Sequence, residues 1–287
     1  MRVMIGTTAE NYILGEGKVQ LQSIQGLDSP PIRNNAGNWS GQDGGYMSAQ
    51  LYAAREITIH GFYIDDEISC VGKKSVRSEF LNFLRIRKLY PLFFELNNGE
   101  IFYTDAYLED IKCDLENVGY GEYQITFYCP DSALKKAERM GDVNSSIYSA
   151  LIYNNPFEMG AGHLVPETLK VLFREGQSST EINYVGSEDS WPTITMNGVV
   201  TAPITFTNVT TGQYITLLRD VPADSVLKVD MKTKQVTIDG KSATLYVDET
   251  SEWWKLSAGK SVILLTSGDI TDTASATIQW TNNYSSI

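Results

Sequence analysis

From Glu181 onward the chain is written in short alternating runs. Ile182–Val185, Thr193–Met196, Ile204–Asn208, Tyr214–Leu218, Val226–Asp230, Gln235–Ile238, Thr244–Val247, Val262–Thr266 and Ala276–Trp280 follow one another. Most are separated by about 8–12 residues, the spacing of an all-β domain. Asn197-Gly198, Thr211-Gly212, Asp239-Gly240 and Ser267-Gly268 punctuate them, and such pairs supply the positive φ that tight turns need. Runs this short that bury every second residue must pair with one another across two layers. A sandwich or jelly roll is therefore predicted for residues 181–287.

The first half is also rich in strand patterns but contains one stretch of a different kind, Ile24 to Gly61. Pro30 and Pro31 cannot donate to a sheet ladder, and Ser29 before them is pushed to extended geometry. Residues 27–33 therefore read as a stiff extended arm. A polar, glycine-rich loop ends in Asp43-Gly44-Gly45, a tight-turn signal. A strand-like run follows, in which Ile57 and Ile59 alternate with Thr58 and His60. Before the arm, two short strands flank Gly15-Glu16-Gly17. After it, Asp65-Asp66-Glu67 reads as an acidic turn.

Val76, Phe80, Phe83 and Leu84 recur at helical spacing, with Ser75 as an N-cap and Pro91 as a stop, so a helix is expected over 75–90. Asn97-Asn98-Gly99 between two apolar runs predicts a hairpin. Lys112–Leu115 and Glu122–Pro130 predict two more strands, and Ser132–Met140 a short helix. Leu151–Tyr153 and Leu169–Phe173 read as edge strands.

A chain of 287 residues is long for one domain. The expected division is residues 1–140, a linker or extension over 141–180, and 181–287. Hydrophobic residues make up 42% of the chain, enough for packed cores and too many for a disordered chain. The formal net charge of −12 repels phosphate and argues against sequence-specific nucleic-acid binding. Cys70, Cys113 and Cys129 lack the paired spacing of a zinc or disulfide framework and read as reduced thiols. No apolar run approaches the ~20 residues of a membrane span, and the first residues lack the apolar core of a signal peptide.

The ordered set Gly26-Leu27-Asp28, Pro30-Pro31-Ile32-Arg33, Asp43-Gly44 and Arg55-x-Ile57-x-Ile59-x-Gly61 resembles the N-terminal domain of the distal tail proteins of long-tailed bacteriophages. Asn197–Pro203 and Trp254–Gly259 with the strand after them resemble the family's galectin-like C-terminal domain. The resemblance implies a mainly β chain: an N-terminal β-sandwich-like domain with one helix, then a galectin-like jelly-roll β-sandwich. It implies a hub ring of six copies at the virion tail tip, made in the host cytoplasm. Its partners would be the tail tube protein, the tail-associated tip protein and the receptor-binding or baseplate proteins. DNA would pass through the ring, and no membrane insertion is implied. By position, Leu27, Pro30, Ile32 and Arg33 are the expected subunit contacts.

No catalytic constellation stands out. His60 and His163 stand alone, without the motifs that give histidine a catalytic task. Carboxylate pairs such as Glu109-Asp110 and Glu188-Asp189 are what any acidic surface offers. No catalytic residue, cofactor or metal site is expected. Trp253 and Trp254 leave two readings open, core packing or stacking on a sugar. The second underlies an alternative function, a carbohydrate-binding or adhesin-like module. The galectin sugar motif is absent, which puts sugar binding by this domain in doubt, and fold alone does not carry function.

Overall fold

The computed structural model describes residues 1–64, 76–113, 120–154, 178–269 and 274–287. The expectations for Asp65–Glu67, Cys70, Ser75, Leu115, His163 and Leu169–Phe173 lie outside the described residues. The chain is mainly β and divides into two units. The first is Met1–Ser146 together with Asn283–Ile287, and the second is Ile147–Asn282.

The first unit contains β1 (Arg2–Thr7), β2 (Glu10–Leu14), β3 (Val19–Gln25), β4 (Ile32–Asn38), β5 (Gly45–Tyr52), β6 (Arg55–Ile64), α1 (Val76–Phe83), β7 (Leu89–Glu95), β8 (Ile101–Cys113), β9 (Tyr120–Cys129) and β10 (Leu134–Ala137). Its sheet runs β2-β1-β7-β8-β9-β6-β3. Strand β8 is long enough to pair with β7 and β10 along its first half and with β9 along its second. One face packs Val3, Ile5, Ile57, Ile59, Phe94 and Phe127 into the main core. On the other face, Met4, Phe93, Tyr103 and Ala137 form a smaller cluster. This two-sided burial explains why Leu92, Phe93 and Phe94 are consecutive yet all inaccessible.

The helix is shorter than its periodicity predicts. It ends at Phe83, Arg87 takes a positive φ of 63°, and a strand begins at Leu89. Its inward residues behave as expected: Phe80 and Leu84 are buried, and Phe80 meets Tyr12 and Tyr123 at ring distances of 4.8 and 5.2 Å. Tyr90, read as helical, is a fully buried strand residue whose hydroxyl donates to Phe83 O at 3.0 Å and accepts from Arg85 N–H at 2.7 Å. Pro91 does not stop a helix; it sits inside β7. Strand β1 pairs with β7 only from Leu92 onward, so Pro91 has a partner strand on one side only, opposite Asp105 of β8, an edge position that tolerates proline. The short helix expected over 132–140 is instead β10, because the free side of β8 at Ile101–Tyr103 accepts it as a strand.

The second unit is a two-layer β-sandwich. Its strands are β11 (Ile147–Asn154), β12 (Ser178–Tyr184), β13 (Thr193–Gly198), β14 (Ile204–Asn208), β15 (Gln213–Leu217), β16 (Val226–Asp230), β17 (Gln235–Ile238), β18 (Lys241–Ser242), β19 (Gly259–Thr266) and β20 (Ala274–Thr281). One sheet is β11-β20-β13-β16-β17-β18 and the other β12-β19-β14-β15. The alternation read from the sequence is the alternation of burial: Ile204, Phe206, Ile263, Leu265, Ala276 and Ile278 all point into one core.

Strand β11 lies within the stretch expected to be a linker. It pairs with β20 over its whole length, from Ile147↔Thr281 to Asn154↔Ala274. Thr244–Tyr246, expected as a strand, is a 3₁₀ turn. The Thr244 hydroxyl accepts from Val236 N–H at 3.0 Å and so occupies a ladder position with a side chain. The last strand, β21 (Asn283–Tyr284), belongs to the first unit, where it pairs with β10.

Candidate functional site: the β4–β5 arm and its base

Strands β3 and β6 are antiparallel neighbours, with Gln25 opposite Thr58. The chain between them does not turn back directly. It runs out as β4, reverses through Trp39–Gly44, and returns as β5 to form a separate two-stranded sheet. Gly41 and Gly44 take φ of 75° and 99° at the reversal. Ala53 N–H donates to Pro31 O at 2.7 Å and closes the ribbon at its inner end.

Every residue of β5 is exposed, and β4 is exposed except for half-covered Gly37. A lone hairpin of this kind is marginal in water. This one also carries six large apolar side chains in the open: Ile32, Trp39, Tyr46, Met47, Leu51 and Tyr52, each between 39% and 58% exposed. The register distributes them over both faces. Ile32 stands opposite Tyr52, and Ala36 opposite Met47, on one face; Arg33 opposite Leu51 and Gly37 opposite Tyr46 lie on the other, after a bulge near Ser48. At the tip, Trp39 and Tyr46 have ring centroids 5.1 Å apart. A Cβ on Gly37 would stand 2.8 Å from the Tyr46 hydroxyl oxygen, so the tyrosine ring lies flat on bare backbone. Clustered exposed apolar groups of this kind mark an interaction surface.

The base of the arm is built in the opposite way. Arg55, the first residue of β6, is 1% exposed, and each of its five N–H groups reaches a main-chain carbonyl. Nε donates to Ser132 O at 3.0 Å. One terminal nitrogen donates to Gly26 O and Asp28 O at 2.7 and 2.8 Å. The other donates to Ser132 O at 2.8 Å and Ser285 O at 2.5 Å. Burial pulls the guanidinium pKa down from its ordinary value. Below it, burial pushes the Cys129 thiol up to about 12. Gly26 has a φ of 90°, and a Cβ there would strike Glu56 O, so only glycine lets the chain leave β3 at this point.

The four residues expected at a subunit contact fall into two groups. Ile32 and Arg33 lie exposed on β4. Leu27 is half-buried against the core of the first unit, and Pro30 is buried. The sequence reading missed Tyr46, Met47, Leu51 and Tyr52, which belong to a run read only as strand-like. A signal existed: this run carries apolar residues on both parities, whereas Ile57 and Ile59 hold to one.

The tryptophan pair is not a paired platform. Trp254 is fully buried, and its indole N–H donates to Phe206 O at 3.4 Å. It is a core residue with no surface to offer a sugar. Trp253 is partly buried and packs on the same core. The side chains of a Trp-Trp dipeptide in extended chain point to opposite sides, and here one of the two is needed inside. His60 is half-exposed on β6. Among the described residues, no group of three or more His, Cys, Asp or Glu could hold a metal ion.

The fold defines the class: a two-unit β protein whose second unit is a sandwich and whose first unit extends an uncovered arm. Residues 185–284 match the family model described as the siphovirus-type tail component, C-terminal domain. No curated protein sequence is matched at a significant level. Among solved structures, the fold is similar to that of the Dit (gp 19.1) protein of SPP1, described as a paradigm of the hub adsorption apparatus in phages infecting Gram-positive bacteria. That likeness has 14% identity and a TM-score of 0.63, covering 96% of this chain and 98% of the other. A chain of the phage P2 baseplate in its activated conformation with Ca aligns at 12% identity and a TM-score of 0.47, covering 97% and 98%. The resemblance to siphophage distal tail proteins read from the sequence is thus borne out: in the family match of residues 185–284, and in a fold shared across nearly the whole chain.

Proposed function

We propose that the chain is a structural subunit of the tail tip of a long-tailed phage or prophage. In this reading, first units assemble into a ring of six that joins the tail tube to the tip protein. The second unit, a galectin-like module, serves the receptor-binding or baseplate proteins. The observation that carries the reading is the family match over residues 185–284. The arm supports it, because a ribbon with apolar groups on both faces suits a place against a neighbouring copy, and paired strand edges turn a liability into an interface. Ile32, Arg33, Tyr46, Met47 and Leu51 are the contacts we assign to it, with Leu27 and Pro30 holding its base. The net charge of −12 lets DNA pass without adhering.

The test is the mass of the purified chain by light scattering, with negative-stain imaging. Six chains of 32.0 kDa give about 192 kDa and a particle with a central hole. If the chain stays monomeric even when mixed with its tube and tip proteins, the reading fails.

A further inference from the structure

We propose that Arg55 and residues 283–287 form a clip that fixes the direction in which the arm leaves the first unit, and that self-association depends on this clip. The association part rests on the arm reading above; the clip itself does not.

Three stretches far apart in sequence end at one point. Gly26 and Asp28 follow the end of β3, Ser132 follows the end of β9, and Ser285 follows the end of β21. Past a strand end the ladder stops, and its carbonyls need new donors. Arg55 supplies all of them from one planar group. A core slot needs only an apolar side chain, and burying a guanidinium is costly unless each donor is satisfied. What the guanidinium adds is a fixed relation among the three stretches, one of which is the root of the arm.

A second set of contacts ties residues 283–287 to the same root. Ile287 N–H donates to Leu27 O at 3.3 Å, and both side chains pack against the main core. Tyr284 sits edge-on to Phe102 at 5.4 Å, and β21 pairs with Leu134 and Lys135 of β10. Residues 283–287 are thus anchored on β10 and β8 and reach across to Leu27. The next residues along the chain are the buried Pro30 and the free ribbon. The arm has no packing of its own to set its course, so its direction comes from this root.

The experiment uses the full chain with three variants: deletion of Ser285–Ile287, Arg55→Lys and Arg55→Met. Amide hydrogen exchange is read at Ile32–Arg33 and Leu51–Ala53, against the β6 and β9 amides as internal reference. Light scattering is read on the same samples. The deletion removes both the Ser285 acceptor and the Ile287 donor, so arm-root amides should exchange at least about tenfold faster, the factor that even one lost hydrogen bond of ordinary net strength approaches. The β6 and β9 amides should keep their protection, and the assembled fraction should fall. Lysine keeps the charge but has no planar fork to hold three directions, so Arg55→Lys should behave like the deletion. Where Arg55→Met fails to fold, the deletion decides. Unchanged arm-root exchange in the deletion variant overturns the clip. Unchanged assembly with raised exchange overturns its role in association. A wild-type chain that remains monomeric even with its tube and tip proteins present, beside raised exchange in the deletion variant, counts against the arm reading and supports the clip.

Discussion

Strands β6 and β9 and strands β4 and β5 are both antiparallel pairs, and they meet end to end at Arg55. In the first pair, Ile57 and Ile59 face Phe127 and Ile125, and all four are inaccessible to solvent. In the second, Leu51, Met47 and Tyr46 are as apolar and lie open. Backbone pairing is the same in both. The difference is the third layer: the first pair has a helix, the opposing strands and a shared core, and the ribbon has none. Hydrogen-bonded strands alone do not bury surface, and burial is the dominant favourable part of folding. In the proposed reading, a second copy supplies the layer that the ribbon lacks.

The sharpest way to break this comparison is to damage the covered side. Phe94→Ala should cost about 3–5 kcal/mol and lower the denaturation midpoint of the first unit. Trp254→Ala should do the same for the second. A loss under about 1 kcal/mol for Trp254→Ala would return that residue to the surface. Next comes the junction. Gly26→Ala forces a Cβ onto Glu56 O at positive φ and should cost about 1–3 kcal/mol. Circular dichroism during urea unfolding measures it.

On the open side, Tyr46→Ser with Met47→Ser should leave unfolding unchanged to within about 0.5 kcal/mol and should abolish self-association by light scattering. Lost stability in this double variant would mean that the arm is packed against its own subunit.

The smallest effect is with pH. Burial pushes Cys129 from 9.0 up to about 12, and burial with the nearby Glu79 carboxylate pushes Tyr12 from 10.0 up to about 12. Both groups stay neutral in the folded chain at pH values where the unfolded chain has ionised. Their contribution is therefore complete below pH 9 and is lost as pH rises toward 12. Alkaline titration followed by circular dichroism should show the first unit loosening in that window. Cys129→Ala should reduce the part of the slope that begins near pH 9, leaving the share of Cys113, which burial also raises.

Much of this was legible in the sequence because it is local. The alternation of Ile204, Phe206, Ile263 and Leu265, the Asn98-Gly99 turn, and the reversal at Asp43-Gly44 each follow from steric rules acting over a few residues. The helix from Val76 was legible for its first two turns, where Phe80 and Leu84 bury one face. Its end was not, because Tyr90 and Pro91 have local preferences that fit a helix stop as well as a strand. The space between β1 and β8 decided between them. The same holds for Leu134–Ala137, recruited by a free stretch of β8.

The candidate site divides along the same line. Sequence alone determined that Pro30-Pro31 keeps this stretch out of a helix and that Asp43-Gly44-Gly45 turns the chain, since proline and glycine act through their own φ. The extension expected over 27–33 is met only from Ile32, because the chain bends at Asp28 and Ser29. Sequence did not distinguish the run before Ala53 from the run after it, although one is outside and the other inside. It also could not give Arg55 its task. That task depends on Gly26, Ser132 and Ser285 meeting within reach of one guanidinium, and only the folded sheet brings those carbonyls together, because the convergence of strand ends is a property of topology rather than of any short stretch of chain.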